Sequence, residues 1–375
     1  MQREQALALV RHLMDAVAAR DIPRLLECYA PDAVAASPVF GEVKGRDAIA
    51  DTWRRLFATF PDIGVGIGEV LVDGDRIAML SSISTTDRVG WFGLSPTGAP
   101  INYRIVVLLT IANGRIVRDE RLYDSTGVLE RLEKARIDKE LRTAADVQRA
   151  LLARTAHRTA YSESVGSSVP CRAIGGDFFE FVDLPGGAVG VAMGDVSGKG
   201  PAAALLAAMV QGMFVVEAPA AGGPGRTLSR LNRRLVERRV DARYATLVYA
   251  VLSPDGGLAY AIAGHNPPAL VSRGGVRRLT VGGPLLGVFE EAQFEEQALR
   301  VAGGDSLVMF TDGVTEARNA ADEEYGEERL LACLTSHAGA PAAELMNRVF
   351  DAVHAFSGQA EQGDDMTVAV TRFRP

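Results

Sequence analysis

Five short apolar runs dominate the second half of the chain: AVGVAM (188–193), TLVYAVL (246–252), LAYAIAG (258–264), SLVMFTDG (306–313) and MTVAVTRF (366–373). Many of their residues are β-branched, and glycine or aspartate bounds them, which marks them as strands. A strand that is apolar on both faces needs cover on both faces. Helical patterns near 200–216, 227–238, 327–336 and 341–356 offer that cover, while EAPAAGGPGRT (217–227) reads as a flexible loop. No internal repeat is visible.

Acidic residues recur beside glycine at the ends of these runs. They are Asp177 in IGGDFFEF, Asp195 in MGDVSGKG, Asp312 in MFTDGVTEARN, and Asp364 and Asp365 in QGDDMTVAV. Each alone is ordinary turn chemistry. Gathered at strand ends, such carboxylates repel one another unless a cation lies among them. Oxygen donors select hard ions, Mg²⁺ or Mn²⁺, over zinc. Two such ions about 3.5–4 Å apart can share a hydroxide and aim it at a phosphoryl group. The Gly-Lys-Gly of MGDVSGKG does not make a phosphate-binding P-loop. That motif requires glycine where Met193 stands and a hydroxyl where Gly200 stands.

The remaining composition narrows the function classes. A length of 375 residues suggests two or three domains, and 47% hydrophobic content argues against general disorder. A net charge of −7 without a long basic run argues against nucleic acid as a partner. No run of about 18 apolar residues is present to cross a membrane. The opening MQREQALALVRHLMDAVAARD is an amphipathic helix pattern, not a signal peptide. Cys28, Cys171 and Cys333 are scattered and the five histidines lack metal-ligand spacing, so the expectation is a cytoplasmic protein without a zinc site.

Residues 1–125 read as an α+β domain. Helices are expected near 2–19, 22–29 and 46–58, the second opening at Asp21 with Pro23 in its first turn. Alternating segments VGIGEVLV, RIAMLSSIST, NYRIVVLLTI and RIVRDERLY follow, with Asp73-Gly74 and Asn113-Gly114 as hairpin signals. Helices followed by a meander suggest a curved antiparallel sheet packed on helices. Residues 126–155 form a charged connector helix, in which Ile137, Leu141, Ala144, Gln148 and Leu151 step as a coiled-coil seam does. The seam is short, so the helix either joins two chains into a homodimer or packs as a solvated connector. Residues 156–375 complete the second domain.

The segments PCRAIGGDFFEF, MGDVSGKGPAAALLAAMV, RYATLVYAVL, IAGHNPPAL, GGPLLGVF, LVMFTDGVTEARN, YGEERL and GDDMTVAV resemble, in content and order, bacterial PPM-type protein phosphatases of the SpoIIE/RsbU branch. The likeness covers about residues 144–374, including the approach helix TAADVQRALL. It implies an α-β-β-α sandwich with two Mn²⁺ or Mg²⁺ ions between the sheets. By position, Asp195 bridges both ions, aided by the Val196 carbonyl. Asp177 holds one ion, Asp312 and Asp364 hold the other, and Asp365 supports them. Asp195 and Asp312 are then catalytic through a shared water that attacks phosphorus. The implied substrate is a phosphoserine or phosphothreonine on a STAS-like anti-sigma-factor antagonist. Arg172 is a candidate for gripping the phosphate, a guanidinium matching it bidentately, with an ordinary salt bridge as the alternative. Ala173 departs from the polar residue many relatives carry. Lys199 reads as a solvated loop lysine, with positive potential at the cleft as the alternative, and His265 and Asn266 as fixing a turn.

The first domain is similar in outline to the cone-shaped SnoaL-like α+β fold, with RIVRDERLYDSTGVLERL resembling that family's last strand and following turn. By alternation Glu120 and Asp124 share a side of the strand and become candidate pocket residues, Asp124 at the position of a base in cyclase relatives. The domain then serves as a sensor for a small molecule or as a dimerisation module, with isomerase or cyclase activity as the alternative. The whole reads as a regulated serine/threonine phosphatase, set against a non-catalytic scaffold that binds a phosphoprotein.

Overall fold

The computed structural model describes residues 3–91, 93–151, 155–238 and 244–374. The chain forms two compact units, Met1–Glu140 and Leu141–Pro375.

The first unit contains α1 (Arg3–Ala19), α2 (Ile22–Glu27), β1 (Tyr29–Ser37), β2 (Gly41–Lys44), α3 (Arg46–Thr59), β3 (Gly64–Asp73), β4 (Arg76–Thr86), β5 (Pro100–Ala112) and β6 (Arg115–Leu122). On α1 the residues Ala6, Val10, Leu13 and Val17 are buried, a helical spacing that lays one stripe on the sheet. Asp21 caps α2, accepting from the Arg24 amide at 3.0 Å, with proline in the first turn. The sheet order is β2-β1-β6-β5-β4-β3, with β1 parallel to β6 and the other pairs antiparallel. Asn113 and Gly114 close the β5–β6 hairpin in two residues, since Ala112 pairs with Arg115. The meander is thus as expected, but β1 and β2 extend the sheet where no strand was read. Pro31 and Asp32 hide β1 from a pattern search, and they fall at the irregularity in its pairing between Tyr29 and Val34.

Helix α4 (Ser125–Leu151) carries the connector sequence, and the division between units falls within it. Asp124 caps it, accepting from the Gly127 amide at 2.8 Å. Val128 and Leu132 are its buried residues, whereas Ile137 and Leu151 are exposed.

The second unit begins with β7 (Ala156–Arg158), β8 (Ser162–Val169), β9 (Phe178–Asp183), β10 (Val189–Val196), α5 (Pro201–Ala221) and α6 (Pro224–Arg238). It continues with β11 (Ala245–Leu252), β12 (Gly257–Ala263), β13 (Ala269–Ser272), β14 (Gly275–Arg278), β15 (Gly282–Gly283), β16 (Gln297–Arg300) and β17 (Ser306–Phe310). The short α7 (Asp312–Thr315), then α8 (Gly326–Ser336), α9 (Ala342–Ser357) and β18 (Met366–Phe373) complete it. One sheet runs β15-β12-β11-β10-β9 with β16 beside β12, and the other β14-β13-β17-β18-β8-β7. Phe181, Met193, Val248 and Tyr260 of the first sheet meet Leu307, Met309 and Phe373 of the second. Helices α5 and α6 cover the outer face of the first sheet, where Val210, Phe214, Leu228 and Leu231 pack on Leu247 and Tyr249. Helices α8 and α9 cover the second through Leu330, Leu334, Leu345 and Val349. This is the α-β-β-α sandwich, and the apolar runs are its inner strands.

Two readings of this region are corrected. Residues 217–227 are not a flexible loop: α5 continues through Pro219 to Ala221, and α6 starts at Pro224. The break between them is Gly222, whose φ of 78° ends α5 in the left-handed conformation that glycine tolerates best. Helix α5 also has the length and mean hydropathy, 1.6 over 18 residues, of a membrane span. Its residues Ala203, Leu206, Val210 and Phe214 instead pack into the sheet-facing core. Gln211 and Glu217 within it are buried and paired, Gln211 with Glu180 at 2.8 Å and Glu217 with Arg230 at 3.2 Å.

Candidate active site

The two sheets end together. In the first, Gly194 pairs with Phe178, which sets Asp195 opposite Asp177 at the end of the β9–β10 ladder. In the second, Phe310 pairs with Val368, so the residues after β17 and before β18 leave from the same end. Those residues are Thr311 and Asp312 on one side and Asp364 and Asp365 on the other. Four strand ends therefore deliver the acidic groups read from the sequence to one edge of the sandwich.

Asp177 is buried. Its Oδ2 accepts from the hydroxyls of Thr311 at 2.7 Å and Thr367 at 2.6 Å, both from the opposite sheet. Burial, and then the charge of Asp195, push its carboxyl well above the usual range. Burial and the charges of Asp312 and Asp364 push Asp195 up to about 7, and a hydrogen bond to Asp177 opposes this rise. Two ionised carboxylates this close repel one another, which is the second cause, after burial, of the rise at Asp177. Asp312 is raised as well, by burial and then by Asp364.

The positive charge facing this group is small. Lys199 reaches Asp364 at 3.0 Å and also bonds the Gly363 carbonyl, so it belongs to the acidic cluster, in keeping with the alternative of positive potential at the cleft and not with a free loop lysine. Buried and half-buried carboxylates in excess of their counter-charges form an oxygen-donor set suited to divalent cations. A cation among them would relieve the repulsion that raises these carboxyls. The residues present fit the metal.

The remaining expected residues fall into three groups. The Val196 carbonyl faces the cluster: a Cβ on Gly176 would stand 2.7 Å from that oxygen and 3.4 Å from Asp195, so this close approach of two backbones requires glycine. Asp365 accepts the amides of Cys171 at 2.8 Å and Gly176 at 2.7 Å, which folds the 171–177 segment. Arg172 is exposed on that segment and has no ion-pair partner among the described residues.

His265 is buried against the Thr246 hydroxyl at 2.7 Å, and that hydroxyl donates to the Asp195 carbonyl at 3.3 Å. It props the strand that carries Asp195. Thr311 and Thr367 were not singled out from the sequence, although each lies one or two residues from a named aspartate. Cys171 was also missed. Its sulfur lies within 4.8 Å of ligand atoms of Asp364 and Asp365, the one such donor group of three found among the described residues.

In the first unit, a cavity is lined mainly by apolar and aromatic side chains, among them Leu13, Met79, Ile105, Tyr103, Trp53 and Trp91. Asp119, Arg121 and Tyr123 supply its polar wall, so the β6 residues in the cavity are the neighbours of those expected. Glu120 faces the other side of the sheet, near Arg118 at 3.7 Å, and Asp124 is spent capping α4. Asp119 is fully engaged as well. It accepts from Tyr29 at 2.6 Å and from Arg121 at 2.8 and 3.2 Å, and the Arg121 guanidinium lies 4.5 Å from the Trp53 ring centre. Burial comes first, then the Asp119 charge, in holding the Tyr29 hydroxyl well above its ordinary value.

Comparison with known proteins matches the family described as "Stage II sporulation protein E (SpoIIE)" over residues 185–374. A "SnoaL-like domain" matches residues 10–119. Phosphoserine phosphatase RsbU of Bacillus subtilis is 30% identical over 244 residues, covering 63% of this chain and 70% of that protein. The SiaA-PP2C domain of Pseudomonas aeruginosa superposes with a TM-score of 0.55 at 20% identity, over 64% of this chain and 98% of that one. The RsbU and RsbW domains of Rv1364c from Mycobacterium tuberculosis give a TM-score of 0.50 at 23% identity, over 57% of this chain and 60% of theirs. The two superpositions show a shared fold.

Proposed function

Because the chain belongs to the SpoIIE family, and its second unit is a serine/threonine phosphatase, we propose that it removes phosphate from a phosphoserine or phosphothreonine on a regulatory protein under control of its SnoaL-like unit. The substrate is a STAS-like anti-sigma-factor antagonist, a reading supported by the likeness to the phosphoserine phosphatase RsbU. The observation that carries the chemistry is the convergence of Asp177, Asp195, Asp312 and Asp364 from four strand ends with one lysine against them.

Asp177, Asp195, Asp312, Asp364 and the Val196 carbonyl would hold two Mn²⁺ or Mg²⁺ ions. Such ions supply positive charge for the phosphoryl oxygens and acidify water. The protein's part is geometric. Thr311 and Thr367 fix the Asp177 carboxylate, Asp365 folds the loop that carries it, and Lys199 orients Asp364. Arg172, exposed beside this edge without an ion pair, is placed to meet the substrate phosphate with two parallel N–H groups. The three cysteines are unpaired, in keeping with a cytoplasmic enzyme.

The first unit acts as a sensor. Its cavity holds no free base, because Asp119 already accepts from Tyr29 and Arg121, so binding fits it better than isomerase or cyclase chemistry. Its wall suits an uncharged, ring-bearing molecule with a hydrogen-bonding oxygen, for which the buried, unpartnered Ser81 hydroxyl is the natural contact. The exposed Ile137 and Leu151 of α4 support its use as a dimer contact.

The test is manganese-dependent release of phosphate from p-nitrophenyl phosphate and from a phosphorylated STAS protein. Asp195→Ala and Asp312→Ala should each lower it at least about a hundredfold, since losses around metal ligands already cost 10–100-fold. Activity unaffected by both substitutions would end the two-ion reading. A protein that binds the phosphorylated partner tightly without turnover would instead be a scaffold.

A further inference from the structure

Beside the acidic edge, three large apolar side chains stand in solvent: Tyr244, Val288 and Phe289 are 42%, 46% and 55% exposed. Single exposed apolar residues are ordinary, but these three are tied together by the backbone. Val196, next to Asp195, pairs with Ala245, and Ala245 exchanges both backbone hydrogen bonds with Leu286, at 3.2 and 2.9 Å. That bridge is antiparallel and sets Tyr244 opposite Gly287. The Ser197 hydroxyl accepts the Tyr244 amide at 3.0 Å, which holds Tyr244 against the segment that follows Asp195. Two antiparallel steps restore the direction of β10, so residues 287–289 leave the sheet at the end where Asp195 stands.

One buried side chain holds this turn. Asn232 of α6, 1% exposed, accepts the Gly287 amide and donates to the Phe289 carbonyl, both at 2.8 Å. Gly287 has a φ of 84°, a conformation open to glycine. Both ends of a buried amide are thus spent on presenting Val288 and Phe289 to solvent. An aromatic side chain on a fixed turn loses little freedom when a partner covers it, which favours binding. Glu290 and Glu291 follow, exposed and without an ion pair among the described residues. The platform is apolar with an acidic rim.

Reach decides what can use it. Leu286 lies two strand spacings from Val196, roughly 10 Å. A protein that covers about 800 Å² of this edge extends about 16 Å from the centre of its footprint, far enough to meet the turn. We infer that Tyr244, Val288 and Phe289 form a docking platform for the phosphoprotein, which takes an apolar side chain roughly 10 Å from the phosphate and basic side chains beyond it. This rests on the phosphatase reading given above, and it names what the enzyme recognises in its substrate besides the phosphate.

The experiment uses the full chain with Mn²⁺ and three phosphoserine peptides. Beginning three residues from the phosphoserine on both sides, where an extended chain has run roughly 10 Å, they carry Leu-Lys-Lys, Ser-Lys-Lys or Leu-Glu-Glu. Wild type should show a KM for the Leu-Lys-Lys peptide at least about tenfold below that for either of the others. Phe289→Ser should raise that KM about tenfold at unchanged kcat and leave the Ser-Lys-Lys peptide as it was. Glu290→Lys combined with Glu291→Lys should move the preference to the Leu-Glu-Glu peptide, an independent check if the serine variant does not fold. Equal KM values for the three peptides, or hydrolysis of p-nitrophenyl phosphate without hydrolysis of any peptide, overturns the inference and leaves the phosphatase reading standing. A dimer in sedimentation equilibrium that Phe289→Ser dissociates also overturns it, since the platform then binds a second copy. No hydrolysis of p-nitrophenyl phosphate or of any peptide would overturn the phosphatase reading, and the inference with it.

Discussion

The Thr367 hydroxyl donates to Asp177 at 2.6 Å from the opposite sheet of the sandwich. This bond is short, buried and directed at a carboxylate that a second hydroxyl, that of Thr311, also meets. Thr367→Val keeps the shape and removes the donor. The expected cost is about 1–3 kcal/mol, the usual penalty for a buried polar group left short of a partner. Chemical denaturation of the metal-free protein reads it as a lower midpoint with an unchanged slope.

The acidic cluster should destabilise the protein when it is empty of cations. Asp195→Asn removes one of the mutually repelling charges while keeping the side chain's volume. In the presence of a chelator this variant should be more stable than wild type, by about 0.5–2 kcal/mol. With excess Mn²⁺ the order should reverse, because wild type alone gains the binding energy. A lower Tm for the variant in chelator would show that the carboxylates do not strain the fold.

Both tryptophans of the chain, Trp53 and Trp91, line the cavity of the first unit. Intrinsic fluorescence therefore reports on that cavity without labelling. Titration with 2-naphthol should quench it saturably, while 2-naphthoate, which carries a charge the walls do not compensate, should bind at least about tenfold more weakly. Ser81→Ala should weaken the naphthol by about 0.5–1.5 kcal/mol. Equal binding of the two compounds would remove the preference for uncharged ligands.

His265 gives stability a pH dependence of known sign. Burial lowers its pKa from 6.5 to about 4 in the folded protein. The unfolded chain therefore takes up a proton that the folded chain resists, and stability falls as pH drops from about 6.5 towards 4. The full effect is on the order of 3 kcal/mol, because each tenfold loss of proton affinity on folding is worth roughly 1.4 kcal/mol. His265→Gln should flatten this part of the stability profile, as followed by denaturant midpoints between those two pH values. An unchanged slope would mean that His265 is solvated.

The inner strands and the aspartates were legible because each is a local signal. Val191, Val248 and Val308 sit in runs that have no polar face, and such runs admit few placements. Asp195 and Asp312 stand where those runs end. What escaped was set by partners distant in sequence. Strand β8, SESVGSSV, looks like a linker, yet Ser164 is buried and bonds Thr371 at 2.9 Å, so its strand character comes from β18. Pro219 and the adjoining glycines suggested a loop, but packing of Phe214, Ala218 and Ala221 carries α5 past the proline. On β6, alternation showed which residues share a face but not which face is the cavity side. The choice of Asp119 over Glu120 depends on Tyr29 and Arg121.

The pairing of β8 with β18 joins residues 162–169 to residues 366–373, with β18 in the interior of its sheet. Asp364, Asp365 and Thr367 arrive with that strand, so a ribosome has to deliver nearly the whole second unit before its acidic edge is complete. A nascent or prematurely ended chain therefore lacks the acidic edge, and on the function proposed above it would stay silent until that last strand is in place.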